Sequence, residues 1–253
     1  MSAVYHTTNS FCQYLLHLAD TTLILSQRNA EWCGHGPVLE QDIAITNISL
    51  DLLGQSRNFY QLAATLMGEN IQEDQLAFLR TERQFANLLL TELPKGDWAQ
   101  TVLRQFFFSQ FQQLQLEQLS QHPNEQLAAM AVKSLKETQY HLRWSREWVI
   151  RLGDGTTESH QRLSDALTAI WQYTGEMFIA APYEIAEKQD PGNLHAAWME
   201  KVKSCLAEAN LTNLQQLPDF MHQGGKIGKH TEYMGYILTE MQYLQRVYPN
   251  CEW

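Results

Sequence analysis

Residues 38–67 read VLEQDIAITNISLDLLGQSRNFYQLAATLM, and the fold class follows from how this stretch repeats. At alternating steps of three and four it places Ile45, Ile48, Leu52, Gln55, Phe59, Leu62 and Leu66 on one side of a helix. That is an apolar seam of about six turns, with Gln55 as its single polar member. A seam of this length belongs in a helix bundle. A lone amide inside it calls for a hydrogen-bonding or ligand role.

The flanking sequence continues in the same manner. Asn9 to Arg28 forms a first helix with Phe11, Leu15, Leu18, Thr22 and Leu25 in its seam, again with one polar member. Gly34, Gly36 and Pro37 punctuate the connection to the second helix. A third helix is expected from Glu73 to about Glu92, ended by Pro94 and Gly96. Asp97 and Asn124 have the chemistry of N-caps for a fourth helix, Trp98 to Ser120, and a fifth that runs to Leu152. Further helices are expected over 159–179, 194–210 and 231–247, with 211–229 as the long irregular stretch. The absence of a low-complexity linker predicts one helical domain over residues 1–253. Its helices are long, as in the ferritin-like bundles.

Composition narrows the function. Hydrophobic residues make up 44% of the 253 positions, enough for a sizeable core. A formal net charge of −10 argues against nucleic acid or an anionic membrane as partner. Cys12, Cys33, Cys205 and Cys251 form no CxxC pair, which suits a reducing cytoplasm better than a disulfide framework. No run approaches the roughly eighteen uninterrupted apolar residues of a membrane span.

Ferritin-like bundles hold two metal ions on about four carboxylates and two histidines, because anionic ligands must offset the metal charge in a core. The mid-seam positions here are Thr22, Leu52, Gln55 and Ser109, followed by the stripe Ser134, Thr138, His141 and Ser145. They supply one histidine, one amide, several hydroxyls and no carboxylate. Small neutral groups of this kind satisfy one another by hydrogen bonds, and His141 reads first as a core histidine. Glu137 and His141 are spaced as a metal pair on one helix face, so a free-standing metal-dependent oxidase using them is the competing reading. Glu31 and His35 flank Cys33 in a glycine-rich turn, where local hydrogen bonding explains them. GGKIGK, residues 224–229, lacks the Walker spacing and reads as a solvated flexible loop, though its lysines and glycines suit a phosphate.

The runs SQRNAEWCGHGP (26–37), DLLGQSRNF (51–59), TERQFANLLL (81–90), LKETQYHLRWSREW (135–148), RLGDGT (151–156), GGKIGKHTE (224–232) and EMQYLQRVYP (240–249) occur in an order that resembles one family. It is the structural, C-type subunit of bacterial phenylacetyl-CoA epoxidase, a multicomponent monooxygenase of phenylacetate breakdown. The resemblance implies a ferritin-like fold shared with a catalytic, A-type partner that carries the di-iron site. It further implies a small B-type subunit and a reductase that passes electrons from NADPH through flavin and an iron–sulfur centre. The catalytic type reads D-E-x-G-H where this chain has Asp51-Leu52-Leu53-Gly54-Gln55, and E-x-x-H where it has Thr138-Gln139-Tyr140-His141. By the same motif matching, Thr22 falls near the first glutamate ligand and Ser109 near the remaining carboxylate.

The resemblance therefore implies a bundle without a functional di-iron site and with no cofactor of its own. It also implies a role in shaping the CoA-ester channel. Carried over by motif, Gln84, Phe85, Ala86 and Asn87 are candidates for substrate contact, as are Ile185, Ala186 and Glu187. Phe85 serves equally well as core packing. A CoA-ester binding module without oxygenase partners is a third reading.

Overall fold

The computed structural model describes residues 7–68, 70–212, 217–249 and 251. They form helices and turns, with no strand among the described residues. The long helices are α1 (Ser10–Ala30), α2 (Leu39–Met67), α5 (Trp98–Leu119), α6 (Glu125–Gly153), α7 (Thr157–Trp171), α9 (His195–Glu208) and α10 (Glu232–Val247). Three short helices are interspersed: α3 (Glu73–Phe78), α4 (Leu89–Glu92) and α8 (Pro182–Ala186). The all-helical expectation holds. No helix of the described residues is long and apolar enough to cross a membrane.

The chain divides into two compact units. The first takes in the chain through Pro94, Ala181–Gln189 and the chain from Gln223 onward. Its axis is α1, which buries every residue from Tyr14 to Ser26. A helix buried on all sides needs neighbours on each, and α2, α4 and α8 supply them. On α2 the seam buries Ile45, Ile48, Leu52, Gln55, Phe59 and Leu62, whereas Leu66 at its end is exposed. Small hydroxyls fasten the pair: Ser56 donates to Ala19 O at 2.9 Å and Ser26 to Ser49 O at 2.9 Å.

The second unit spans Lys95–Ala180 and Asp190–His222, with residues 213–216 of the expected irregular stretch lying outside the described residues. Here α5 is the buried axis, covered by α6, α7 and α9. The expected caps are present: Asp97 accepts from Gln100 N–H and Asn124 from Leu127 N–H, each at 2.9 Å. Phe107, Trp171, Phe178 and Trp198 cluster edge to face or tilted, and the Trp198 indole donates to Phe107 O at 3.0 Å.

Two expected helices are shorter than their periodicity predicts. The 159–179 helix ends at Trp171, and a 3-10 turn over Gly175–Phe178 delivers the Phe178 ring to Trp198. The 73–92 helix breaks after Phe78, becomes a 3-10 turn at Glu82–Gln84, runs extended through Phe85, and resumes only at Leu89. Side chains elsewhere in the unit take the backbone groups this break frees. Gln242 and Arg246 of α10 donate to Arg80 O at 3.0 and 3.1 Å.

Candidate functional site

The broken segment is where the first unit concentrates its charge. Four buried ionisable side chains from three elements hold the backbone of Gln84, Phe85 and Ala86. Arg80 donates to Gln84 O at 2.7 Å, and the His230 Nε2–H donates to Phe85 O at 3.0 Å. The His17 Nδ1–H donates to Ala86 O at 2.7 Å, while Asp20 accepts from Ala86 N–H at 2.7 Å. These are backbone groups that a helix or sheet would ordinarily satisfy.

Each ionisable group has a charge partner in turn. Arg80 and Asp20 form an ion pair in which both side chains are fully buried. Tyr60 completes it, its hydroxyl donating to Asp20 at 2.5 Å. Burial, then the Asp20 charge, pushes the Tyr60 phenol well above its ordinary range. The Arg80 guanidinium also lies 4.2 Å from the centre of the Phe85 ring. Lys226 donates to both oxygens of Glu184, at 3.2 and 2.9 Å, and that pair is buried as well.

The two histidines are matched in geometry and opposite in electrostatics. The His17 Nε2 lies 4.0 Å from Glu184, whose charge Lys226 already offsets; burial therefore dominates and lowers the His17 pKa. The His230 Nδ1 lies 3.5 Å from Glu92. Burial there also opposes the charged ring, but the Glu92 carboxylate and the Phe85 carbonyl outweigh it and raise the pKa.

Above this strapped segment is a cavity of about 340 Å³. Thr7, Gln13 and Leu16 line one side of it, Arg83 to Ala86 the second, and Pro182, Tyr183 and Lys226 to Gly228 the rest. Gly228 is required by its position: φ is +76°, and a Cβ would stand 2.4 Å from Arg83 O. The loop 224–230 is thus fitted against the strapped segment. Its expected solvation is overturned, since Lys226 is 4% exposed and the His230 side chain is fully buried, because Glu184 and Glu92 give their cations buried partners.

Of the residues singled out for substrate contact, Gln84, Phe85 and Ala86 line this cavity. Asn87 does not; it is fully buried, and its amide donates to Leu88 O at 3.2 Å. Ile185, Ala186 and Glu187 also stand outside the lining, to which α8 contributes Pro182 and Tyr183 instead. Ile185 projects to solvent, and Glu187 accepts a hydrogen bond from Ser10. Sequence reasoning missed His17, Asp20, Arg80, Glu184 and Lys226. The available signal was His17 and Asp20 inside an otherwise apolar helix.

The positions matched to the di-iron ligands are all buried, Thr22, Leu52 and Gln55 in the first unit and Ser109, Thr138 and His141 in the second. Several of their polar groups are spent locally. Thr22 donates to Leu18 O at 2.9 Å within its own helix, and Ser109 accepts from Gln105 at 2.8 Å. Thr138 donates to Gln112 at 3.1 Å, and the His141 carbonyl accepts from Ser145 at 2.7 Å. Hydroxyls, an amide and one histidine do not offset the charge of two iron ions, so this donor set does not fit that centre. Among the described residues no group of three or more histidine, cysteine, aspartate and glutamate side chains is placed to hold a metal, and Glu137 and His141 are not part of such a group.

An all-helical chain with a strapped cavity and a ligand-poor seam defines a class of helical protein built to bind and support. The chain belongs to the phenylacetic acid catabolic protein family, whose model matches residues 2–253. It is 47% identical over 250 residues to the C-type subunit of the 1,2-phenylacetyl-CoA epoxidase of Escherichia coli (strain K12), covering 97% of this chain and 100% of that protein. That relative is by its name one of several different chains that together make up an epoxidase.

Proposed function

We propose that this chain is a non-catalytic, structural subunit of a cytoplasmic phenylacetyl-CoA 1,2-epoxidase in aerobic phenylacetate catabolism. It supports a di-iron catalytic subunit of the A type and binds no cofactor itself. A small B-type subunit and a reductase using NADPH, flavin and an iron–sulfur centre complete the assembly. The observation that carries this reading is the seam of Thr22, Leu52, Gln55, Ser109, Thr138 and His141, buried yet without a carboxylate, in a chain so similar to a C-type epoxidase subunit.

In the same reading the cavity lined by Gln84, Phe85 and Ala86 helps form the CoA-ester binding site, with Arg83 and Lys226 on its rim to meet anionic groups. The strapping of the segment supports this role, because a binding surface is most effective when its backbone is held before the ligand arrives.

The test is reconstitution. The catalytic subunit, reductase and NADPH are assayed for epoxidation of phenylacetyl-CoA with and without this chain. Addition of the chain is expected to raise turnover at least about tenfold, and the chain without the catalytic subunit to give none. Equal turnover in its absence would contradict the supporting role. Replacing Ala86 with Leu, which fills the cavity, is expected to raise KM for the CoA ester more than it lowers kcat.

A further inference from the structure

Helix α2 has a second face that its own chain leaves uncovered. Opposite the inward Leu52 and Gln55, Leu39 is 71% exposed, Ile43 52%, Leu50 60% and Leu53 41%. These residues recur at steps of four, seven and three, so they form one continuous ridge on the helix surface. Gly54 lies in the same ridge, exposed, and a Cβ added there would meet nothing within 4 Å. Its backbone is ordinary α-helix, so no turn requires glycine, and glycine in a helix interior is less stable than alanine. A bare stretch of backbone bordered by exposed leucines is a groove into which a neighbouring helix can pack closely.

We propose that this ridge docks a helix of a second, different chain, one that places a bulky apolar side chain over Gly54 and lysine or arginine along its margins. The proposal rests on the reading of the chain as a subunit of a heteromeric oxygenase and adds the surface that makes it one.

Charge selects the occupant. The ridge is nearly symmetric about residues 46 and 47, so an antiparallel second copy would set Leu39 over Gly54 and Ile43 against Leu50. That same two-fold pairing would also bring Asp42 of each copy against Asp51 of the other, twice. Like charges in that position disfavour the match. Arg57 is the only basic residue of α2, against Glu40, Asp42 and Asp51, and it already faces Glu73 at 3.4 Å. The acidic margin is therefore open to a basic partner and repels a copy of a chain whose net charge is −10.

The test uses the full-length chain, the catalytic subunit of the same oxygenase, and two variants, Leu50→Glu and Gly54→Leu. Both positions are exposed, so the circular dichroism and melting temperature of the isolated variants should match wild type; Gly54→Leu, which favours helix, should if anything melt higher. Each variant is expected to weaken binding to the catalytic subunit more than about tenfold in a titration, with the wild-type chain monomeric on its own. Variants that bind within about twofold of wild type would overturn the ridge while leaving the subunit reading intact. Failure of the wild-type chain to bind would overturn both. A wild-type homodimer that Leu50→Glu dissociates would overturn the choice of occupant.

Discussion

Residues 79–88 in the first unit and α5 in the second are both rich in apolar side chains and both largely buried, yet only α5 is a continuous helix. In α5 the backbone satisfies itself, and buried polar side chains pair with one another or with a neighbouring helix, as Gln105 does with Ser109 and Gln112 with Thr138. In 79–88 the backbone is satisfied by ions: Arg80, His230, His17 and Asp20 take groups that a helical ladder would have used. Burial alone does not decide whether a segment is helical. The destination of its backbone hydrogen bonds does.

The largest expected effect follows from removing the anion at the centre of the strap. Asp20→Ala leaves Arg80 charged and buried without its counter-ion, and leaves the Ala86 amide without its acceptor. A loss of about 3–5 kcal/mol in urea unfolding is expected. A loss below about 1 kcal/mol would mean that packing, not the ion pair, holds the segment.

Next come the histidines, whose signs differ. The His230 pKa is raised, so its stabilisation is full below the unfolded value of about 6.5 and is lost as pH rises through the folded value. The His17 pKa is lowered, so its stabilisation is full above about 6.5 and is lost as pH falls through the folded value. Each change to asparagine should cost about 1–3 kcal/mol. The cost should be greater at about pH 5.5 than at about pH 8 for His230→Asn, and the reverse for His17→Asn. Unfolding curves at the two pH values that shift in parallel would refute the assignment.

The smallest effect belongs to the second unit. Thr138→Val removes one neutral hydrogen bond to Gln112, with an expected cost of about 0.5–1.5 kcal/mol and no dependence on pH. A cost as large as that of Asp20→Ala would erase the contrast between the two regions.

The same contrast explains what was legible in the sequence. The α2 seam, the caps Asp97 and Asn124 and the extents of α1, α5, α6, α9 and α10 follow from periodicity and local chemistry, and the structure has them within two residues. The break after Phe78 was not legible, because its cause is His17 and Asp20 on α1 and Gln242 and Arg246 on α10, all remote in sequence. For the same reason Lys226 and His230 read as loop residues: their partners Glu184 and Glu92 lie some forty and well over a hundred positions away. Motif matching found Gln84, Phe85 and Ala86 at the cavity. It misplaced Asn87, whose side chain turns inward, and it pointed to the wrong end of α8, where Tyr183 rather than Ile185 meets the cavity.

The central claim is that the buried seam holds no iron and that the chain acts by supporting a partner. Iron analysis of the purified chain after anaerobic loading with ferrous ion tests it most directly, with the catalytic subunit loaded in parallel. The account predicts far less than one iron per chain here, against about two in the catalytic subunit. About two irons retained per chain, with epoxidation of phenylacetyl-CoA by the chain alone, would contradict it.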